Sequence, residues 1–500
     1  MALKTVEQYK QSLKDGRVLY WKGQRIEDVT EHHYVKRGMG PCLNEYIMSQ
    51  DPRYTDLLCD RDEKGELVSF VFKPARSVED LLRRRKITQT LFRAGGGSAR
   101  FTGIDALHAM TAASYRMDEA MGTSYAKQVE AFRDYCLKTD PTLVVAMTDP
   151  KGDRSLRPSK QQQHQDYYLR IVDQTKDGIV VRGAKAHISF APFANEVLVM
   201  PCRNMPTEAD KDYAVAFAIP VSTKGVSLIC PAPEPAEEDN PFDFPLSSGF
   251  VSSDVIVVFD DVFVPMERVF MKGEWQYSGN FTYMFGNFHR LSADAYKAVE
   301  LEILVGVAAL IAEYNGLEKA SHILEKLSWL MWYAEATEGL GLAAAQNCLF
   351  DPSSGMAYPN PMLSNAAKFF FAENYHQAIK LVQDIAGGIV VTCPSREDFL
   401  NPETRDVLEK YLGGKAGIPT EDRIRAIKLI RELGSAFHAV STLHAEGSLF
   451  AQKLSFYALG EWNRYKTAAK RAAGIPLKEE ETHPMYQGLP NFGRQEGSGA

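Results

Sequence analysis

Between about residues 145 and 275 the chain is built of short β-branched runs cut by turn residues: "YLRIVDQTKDGIVVRGAKAHIS", "NEVLVMP", "YAVAFAIPV", "GVSLIC" and "DVIVVFDDVFVP". Helical spacing governs both flanks, and this insertion constrains the fold more than any other feature. It predicts an antiparallel barrel or sandwich and not a nucleotide-binding βαβ sheet. "QTKDG" predicts a hairpin, with Asp177-Gly178 suited to a turn of positive φ.

Upstream, "SVEDLLRRRKITQTLF" opens on a serine cap and an acidic first turn, and "DALHAMTAASYRMDEAMG" ends on glycine, so both predict helices. Downstream, "YKAVELEILVGVAALIAEYNG", "LEKASHILEKLSWLMWYAEATEGLGLAAAQ" and "PTEDRIRAIKLIRELGSAFHAVSTLHAEGSLFAQKL" read as long amphipathic helices of a bundle. The expected organisation is α+β and multidomain: a helical N-terminal domain over 1–144, a β-domain over 145–275, a helical bundle over 276–475 and a loose tail over 476–500.

Composition narrows the function. Five hundred residues, 45% hydrophobic and 24% charged, describe a soluble globular chain with a large core. A net charge of −7 gives no electrostatic reason to expect nucleic acid or an anionic membrane as partner. The basic run Arg83-Arg84-Arg85-Lys86 is expected on a solvated helix face, with an anion site as the alternative. "MALKTVEQYK" has no apolar segment after its charges, and the longest apolar run, Ile303 to Ile311, is far shorter than the ~18 residues of a membrane span. A cytoplasmic location is expected. Seven cysteines, at 42, 59, 136, 202, 230, 348 and 393, form no CxxC or CxxxC pair and offer no local thiolate pair for zinc or an iron–sulfur cluster.

Four stretches carry side chains suited to chemistry. In "AMTDPKGDRSLRPS", 146–159, Asp149 and Asp153 alternate with Lys151, Arg154 and Arg157, which suits either an anionic or heteroaromatic ligand or an ion-paired interdomain loop. "GAKAHIS", 183–189, offers Lys185, His187 and Ser189, and the serine hydroxyl suits a flavin ring nitrogen or simply backbone and water. "RAGGGSARFTGID", 93–105, permits close backbone approach to a ligand or acts as a hinge, but it lacks the ending of a phosphate loop. In "FGNFHRLSADAY", 285–296, His289 has no second ligand at His-x3-His spacing, which favours proton chemistry or packing over metal binding.

"MTDPKGDR", "GIVVRGAKAH", "DKDYAVAFAIP", "NPFDFPLSSGF", "VVFDDVFVP" and "DIAGG", in that order, resemble the 4-hydroxyphenylacetate 3-hydroxylase family over about residues 5–470. The resemblance implies an acyl-CoA-dehydrogenase-like architecture, with helical domain, β-domain and C-terminal four-helix bundle. It also implies a homotetramer holding FAD between β-domain and bundle. Monooxygenase members take reduced FAD from a separate reductase and hydroxylate a phenol with O2 through a flavin C4a-hydroperoxide. Dehydratase members add a [4Fe–4S] cluster, held by three cysteines and one histidine, and act on a CoA thioester.

"AMTDPKGDR", "IVVRGAKAH" and "ADKDYAVAFA" are closer to the dehydratase. Yet its three cysteine positions correspond here to Gly97, Phe101 and Tyr296, leaving His289 alone of the four ligands. No iron–sulfur cluster is therefore expected. What the resemblance implies instead is a reduced-flavin-dependent monooxygenase acting on a small aromatic substrate and O2, with His289 taking the phenolic proton and Arg100 holding the phenolate. The chain has no GxGxxG unit of its own in a βαβ context, which fits a separate reductase. By resemblance the flavin contacts are Met147, Thr148, Arg154, Lys185 and Ser189, Asp384, Gly387 and Gly388 from a neighbouring subunit, and Gly447 and Ser448. The chain departs from the 4-hydroxyphenylacetate enzymes at their GRTPDY-like motif, where it reads "ARFTGIDAL", and at Val145, where they have a histidine. The alternative is a cluster-free, flavin-dependent dehydratase or isomerase of a CoA thioester.

Overall fold

Val255–Pro265 shows how this sequence builds its sheet. Val255, Val257 and Phe259 point inward at a period of two, then Asp260 and Asp261 interrupt the alternation. The register shifts between Phe259 and Val262, and Asp261 takes φ +51. This bulge restores the phase, so that Val262 and Val264 face the core again. The computed structural model describes residues 3–33, 35–95, 100–231, 240–249 and 254–489.

The β-domain is a sandwich of two sheets. One orders Gln24–Ile26, Val18–Trp21, Val226–Ile229, Val255–Pro265, Gly178–Ile188 and Arg170–Gln174; the other orders Val269–Lys272, Val215–Pro220, Glu196–Val199 and Leu143–Ala146. Their inner faces share one core, in which Phe217 of the second sheet meets Phe259 of the first edge-on at 6.0 Å. The expected antiparallel character needs two corrections, because Val18–Trp21 pairs parallel with Val226–Ile229 and Leu143–Ala146 pairs parallel with Glu196–Val199. The first of these strands comes from the stretch expected to be mostly helical. The "QTKDG" hairpin forms, with the Thr175 N–H donating to the Gly178 carbonyl at 2.8 Å. Gly178 is not in the positive-φ region. Its role is close approach, since a Cβ there would lie 2.2 Å from the Val264 carbonyl oxygen.

Val78–Gly95 and Phe101–Met121 form the expected N-terminal helices. Ser77 caps the first reciprocally: the Asp80 N–H donates to its Oγ, and its own N–H donates to the Asp80 carboxylate, both at 3.1 Å. Gly122, at φ +69, ends the second. The basic run is not a solvated face. Arg84 and Arg85 are buried, pairing with Asp105 at 3.0 Å and Glu338 at 2.7 Å, while Arg83 binds the Leu57 carbonyl at 2.9 Å and Lys86 alone is exposed. Buried counter-charges, invisible in a local window, draw the arginines inward.

Phe101–Met121 presses against Leu143–Ala146 at Gly103, where an added Cβ would sit 2.3 Å from the Leu143 carbonyl carbon. Gly103→Val should therefore destabilise the fold by about 1–3 kcal/mol or more, read as a lowered melting temperature.

Ser278–Tyr314 is a single 37-residue helix. Its first half packs on Phe101–Met121, and its second half joins Ser321–Gln346, Pro361–Ala386 and Thr420–Leu433 in a four-helix bundle around Leu304, Ile311, Leu330, Tyr375, Ile427 and Ile430. Residues 1–448 form one compact unit and 449–500 a second. Within the second, described residues of the stretch expected to be a loose tail make specific bonds: the His483 N–H donates to Thr467 Oγ1 at 3.2 Å and Glu481 pairs with Lys470 at 3.1 Å.

Candidate active site

His289 lies on Ser278–Tyr314, sandwiched between Phe285 at 4.7 Å and Phe101 at 5.6 Å, with 12% of its side chain exposed. Its Nδ1 is 3.1 Å from the Asp105 carboxylate. Asp105 is fully buried and accepts two further hydrogen bonds, from Ser292 Oγ at 2.9 Å and Arg84 Nη2 at 3.0 Å. Arg84 also reaches His108 Nε2 at 2.6 Å. Burial, then the Arg84 and Arg133 guanidiniums, push the His108 imidazole well below its usual range, so it is neutral and accepts from Arg84. Its Nδ1–H then donates to the Ile104 carbonyl at 2.9 Å. This scaffold fixes the ring of His289 with Nδ1–H toward Asp105 and Nε2 outward.

Nε2 looks toward Glu446, whose Oε1 is 3.9 Å away. Glu446 accepts from the Tyr296 hydroxyl at 2.7 Å and from Lys297 Nζ at 2.8 Å, and Lys368 Nζ stands 3.7 Å off. Lys297 also hydrogen-bonds the Tyr296 hydroxyl. Burial pushes the Glu446 carboxyl up, but Lys297, Lys368 and His289 outweigh it and hold the group at about 2. Burial first, and then Lys297, bring Lys368 down to about 8. Burial and the neighbouring Glu446 push the Tyr296 phenol well above its ordinary value, so it keeps its proton. The result is a buried carboxylate set among two lysines, a phenol and an imidazole.

Because its folded value is depressed from 4.5 to about 2, Glu446 contributes stability that is complete above about pH 4.5 and is lost as the pH falls toward 2. Glu446→Gln should accordingly flatten the acid limb of melting temperature against pH in that window.

Asp105, Lys297, Lys368 and Glu446 were not among the residues expected from sequence. Lys297 and Glu300 do leave a local signal: with His289, Ser292 and Tyr296 they recur at helical spacing, a polar stripe along a helix that is otherwise apolar there. Asp105 and Glu446 lie 184 and 157 positions from His289, and no local pattern joins them to it.

Phe101 and Tyr296, two of the three positions that the resemblance sets against cluster cysteines, lie together beside His289. The Phe101 ring lies 5.6 Å from both His289 and Tyr296, whereas Gly97 and most of the triple-glycine loop fall outside the described residues. Phenylalanine is no ligand and Tyr296 is committed to Glu446, so these residues do not fit an iron–sulfur cluster. Among the described residues no group of three or more His, Cys, Asp or Glu is placed to hold a metal ion.

The strand end after Leu143–Ala146 carries the side chains that the resemblance sets against a flavin. Thr148 and Ser189 offer half-buried side chains, Arg154 is exposed, and left-handed backbone gathers at Lys151, Gly152, His187 and Phe190. Non-glycine residues adopt that conformation mainly where function or tight packing over-determines it. Ser189 donates to Asp254. Lys185 is different, being buried with Nζ bonded to the Met147 carbonyl at 2.9 Å, the Met200 carbonyl at 3.0 Å and Asp149 at 2.8 Å. Those three bonds use every donor of the ammonium, so Lys185 shapes the segment from beneath. Gly447 and Ser448 are exposed in the turn that follows Glu446.

Asp384, Gly387 and Gly388 sit at the C-terminal end of Pro361–Ala386, roughly 24 Å along that helix from Lys368. Asp384 pairs with Lys326, Gly387 has φ +77, and a Cβ on either glycine would meet nothing within 4 Å. Within one chain they are therefore not part of the His289 site. Arg100 is buried, its guanidinium bonded to Asp140 at 2.8 Å and Glu45 at 3.4 Å over the face of Tyr46. With Phe101 and Ser292 it lines a cavity of about 20 Å³, room for a water-sized group and not for an aromatic ring.

The chain belongs to the 4-hydroxyphenylacetate 3-hydroxylase family, matching the N-terminal model over residues 5–271 and the C-terminal model over 278–474. It is similar to the 4-hydroxybutyryl-CoA dehydratase/vinylacetyl-CoA-Delta-isomerase of Clostridium aminobutyricum, at 33% identity over 95% of this chain and 100% of that protein. It is also similar to the 4-hydroxyphenylacetate 3-monooxygenase oxygenase component of Thermus thermophilus, at 30% identity over 88% and 90%. Among solved structures, an oxygen-tolerant archaeal 4-hydroxybutyryl-CoA dehydratase from N. maritimus superposes with a TM-score of 0.89 at 31% identity, covering 96% of this chain and 97% of that one. The oxygenase component of 4-hydroxyphenylacetate 3-monooxygenase complexed with FAD superposes at 0.84 and 28% identity, covering 93% and 98%. The family is enzymatic and spans both chemistries. No helix among the described residues is long and apolar enough to cross a membrane.

Proposed function

We propose that this chain is a flavin-dependent enzyme that begins its reaction by drawing a substrate proton to His289 Nε2, and that the reaction is oxygenation. The substrate is a phenolic or related aromatic compound, O2 is the co-substrate, and a separate reductase delivers reduced FAD. The observation that carries this reading is the Asp105–His289 pair beside two buried lysines, at a place where positions 101 and 296 hold aromatic side chains in place of metal ligands.

A phenol of pKa about 10 is mostly neutral at pH 7, and removing its proton makes the ring carbon nucleophilic. Asp105 orients the imidazole, holding Nδ1–H and leaving Nε2 for the substrate proton. The phenolate-holding role expected for Arg100 falls to Lys297 and Lys368, because Arg100 already serves Asp140 and Glu45. Bound reduced FAD would supply the oxygen-activating chemistry, held by Met147, Thr148, Arg154 and Ser189 on a segment that Lys185 fixes. A homotetramer would let Asp384, Gly387 and Gly388 meet the flavin of a neighbouring subunit; the exposed Trp329, Trp332 and Val391 support such burial.

The 33% identity along the whole of the dehydratase/isomerase supports a second reading, in which His289 takes the proton from carbon of a CoA thioester and the lysines hold an enolate. Oxygen separates the two. Hydroxylation of members of a phenol panel, given reduced FAD under air and abolished under argon, supports the first; anaerobic turnover of an unsaturated or hydroxylated acyl-CoA with oxidised FAD overturns it in favour of the second.

A further inference from the structure

Glu446 is held in an unusual posture. Its φ is +59, a left-handed conformation that a non-glycine residue keeps only where its surroundings compensate. Its carboxylate, 2% exposed, reaches into the bundle to Tyr296, Lys297, Lys368 and His289. The residue after it is an exposed glycine at φ +100. The helix before it, Ala436–His444, is tied down by polar contacts: His438 Nε2 and Thr442 Oγ1 bind Glu300 Oε1 at 2.7 and 3.0 Å, and Lys368 Nζ donates to the Leu443 carbonyl at 3.1 Å. A strained turn next to a glycine thus carries one carboxylate into a seat lined by cations.

We propose that this is an anion seat which Glu446 fills in the free enzyme, and that the ionised oxygen of the substrate takes it when the 445–448 turn carries Glu446 out. The inference rests on the reading that the substrate reacts beside His289. Exchanging one carboxylate for one phenolate keeps the buried charge unchanged, so the lysines are never left uncompensated. A neutral ligand offers no such exchange. The seat therefore selects substrates that arrive as anions or become anions at His289, with Glu446 acting as the internal competitor.

Binding of 4-nitrophenolate at neutral pH, followed by visible absorbance, tests this on the full-length protein without turnover. Glu446→Ala should bind the phenolate about tenfold or more tightly than wild type. Glu446→Gln, which keeps the shape of the turn, should show a smaller gain in the same direction. Neutral 4-nitroanisole should show no gain in either variant. In wild type, saturating phenolate should speed amide exchange across residues 442–448. Unchanged or weaker phenolate affinity in both variants, or slower exchange of that segment in the liganded wild type, overturns the proposal. Displacement of Glu446 without any hydroxylation would leave the seat standing and overturn only the oxygenase reading.

Discussion

His289→Ala is expected to lower turnover by about 10²–10⁴ at neutral pH, the range for loss of a general base, with the fold and flavin binding retained. Retention follows from the surroundings of Asp105, which keeps Arg84 and Ser292 as partners when the imidazole is gone. If the substrate is a phenol, the loss should shrink as the pH rises toward the phenol's own pKa, because the substrate then ionises unaided. A carbon acid gives no such recovery, so the same pH profile also weighs the thioester reading. A residue that only packs would show a lowered melting temperature with turnover unchanged, and unchanged turnover at neutral pH would remove His289 from the chemistry.

What could be read along the chain was whatever repeats at a short period. The β-branched runs of Val255–Pro265 and Gly178–Ile188 announce the sheet, and the apolar stripe of Ser278–Tyr314 announces the bundle. Parallel pairing could not be read, since Val18–Trp21 meets its neighbour only through contacts some two hundred positions distant in the chain. Arg84 and Arg85 were misplaced for the same reason: four successive cations read as a hydrated face until Asp105 and Glu338 are brought to them. The site divides in the same way. His289 stands out locally among aromatic residues, but the partners that give it a direction, Asp105 and Glu446, arrive from the first helical region and from the end of the first unit. Arg100 illustrates the converse, a residue at the expected place in the motif whose guanidinium is occupied by Asp140 and Glu45. Family position locates a side chain, and its partners decide what it has left to offer.

Asp105→Asn carries the second large effect, because it leaves the shape of the site and changes only what His289 is told to do. The carboxylate accepts from three donors at once, His289, Ser292 and Arg84. An asparagine has one acceptor oxygen, and the buried Arg84 guanidinium and Ser292 hydroxyl claim it. Its NH2 group then faces His289 Nδ1, which must become the acceptor, so the ring proton moves to Nε2 and the outward nitrogen can no longer act as a base. Turnover should fall by about 10²–10⁴, comparable to deleting the imidazole. Asp105→Ala should in addition cost about 3–5 kcal/mol of stability, since it strands a buried guanidinium. Two measurements show that Asp105 acts through His289 and not through the fold. Raising the pH should rescue phenol turnover by Asp105→Asn in parallel with His289→Ala, and the double variant should be no slower than His289→Ala alone. Additive losses in the double variant would mean that the two residues serve separate steps, and the acid–base pair proposed here would have to be abandoned.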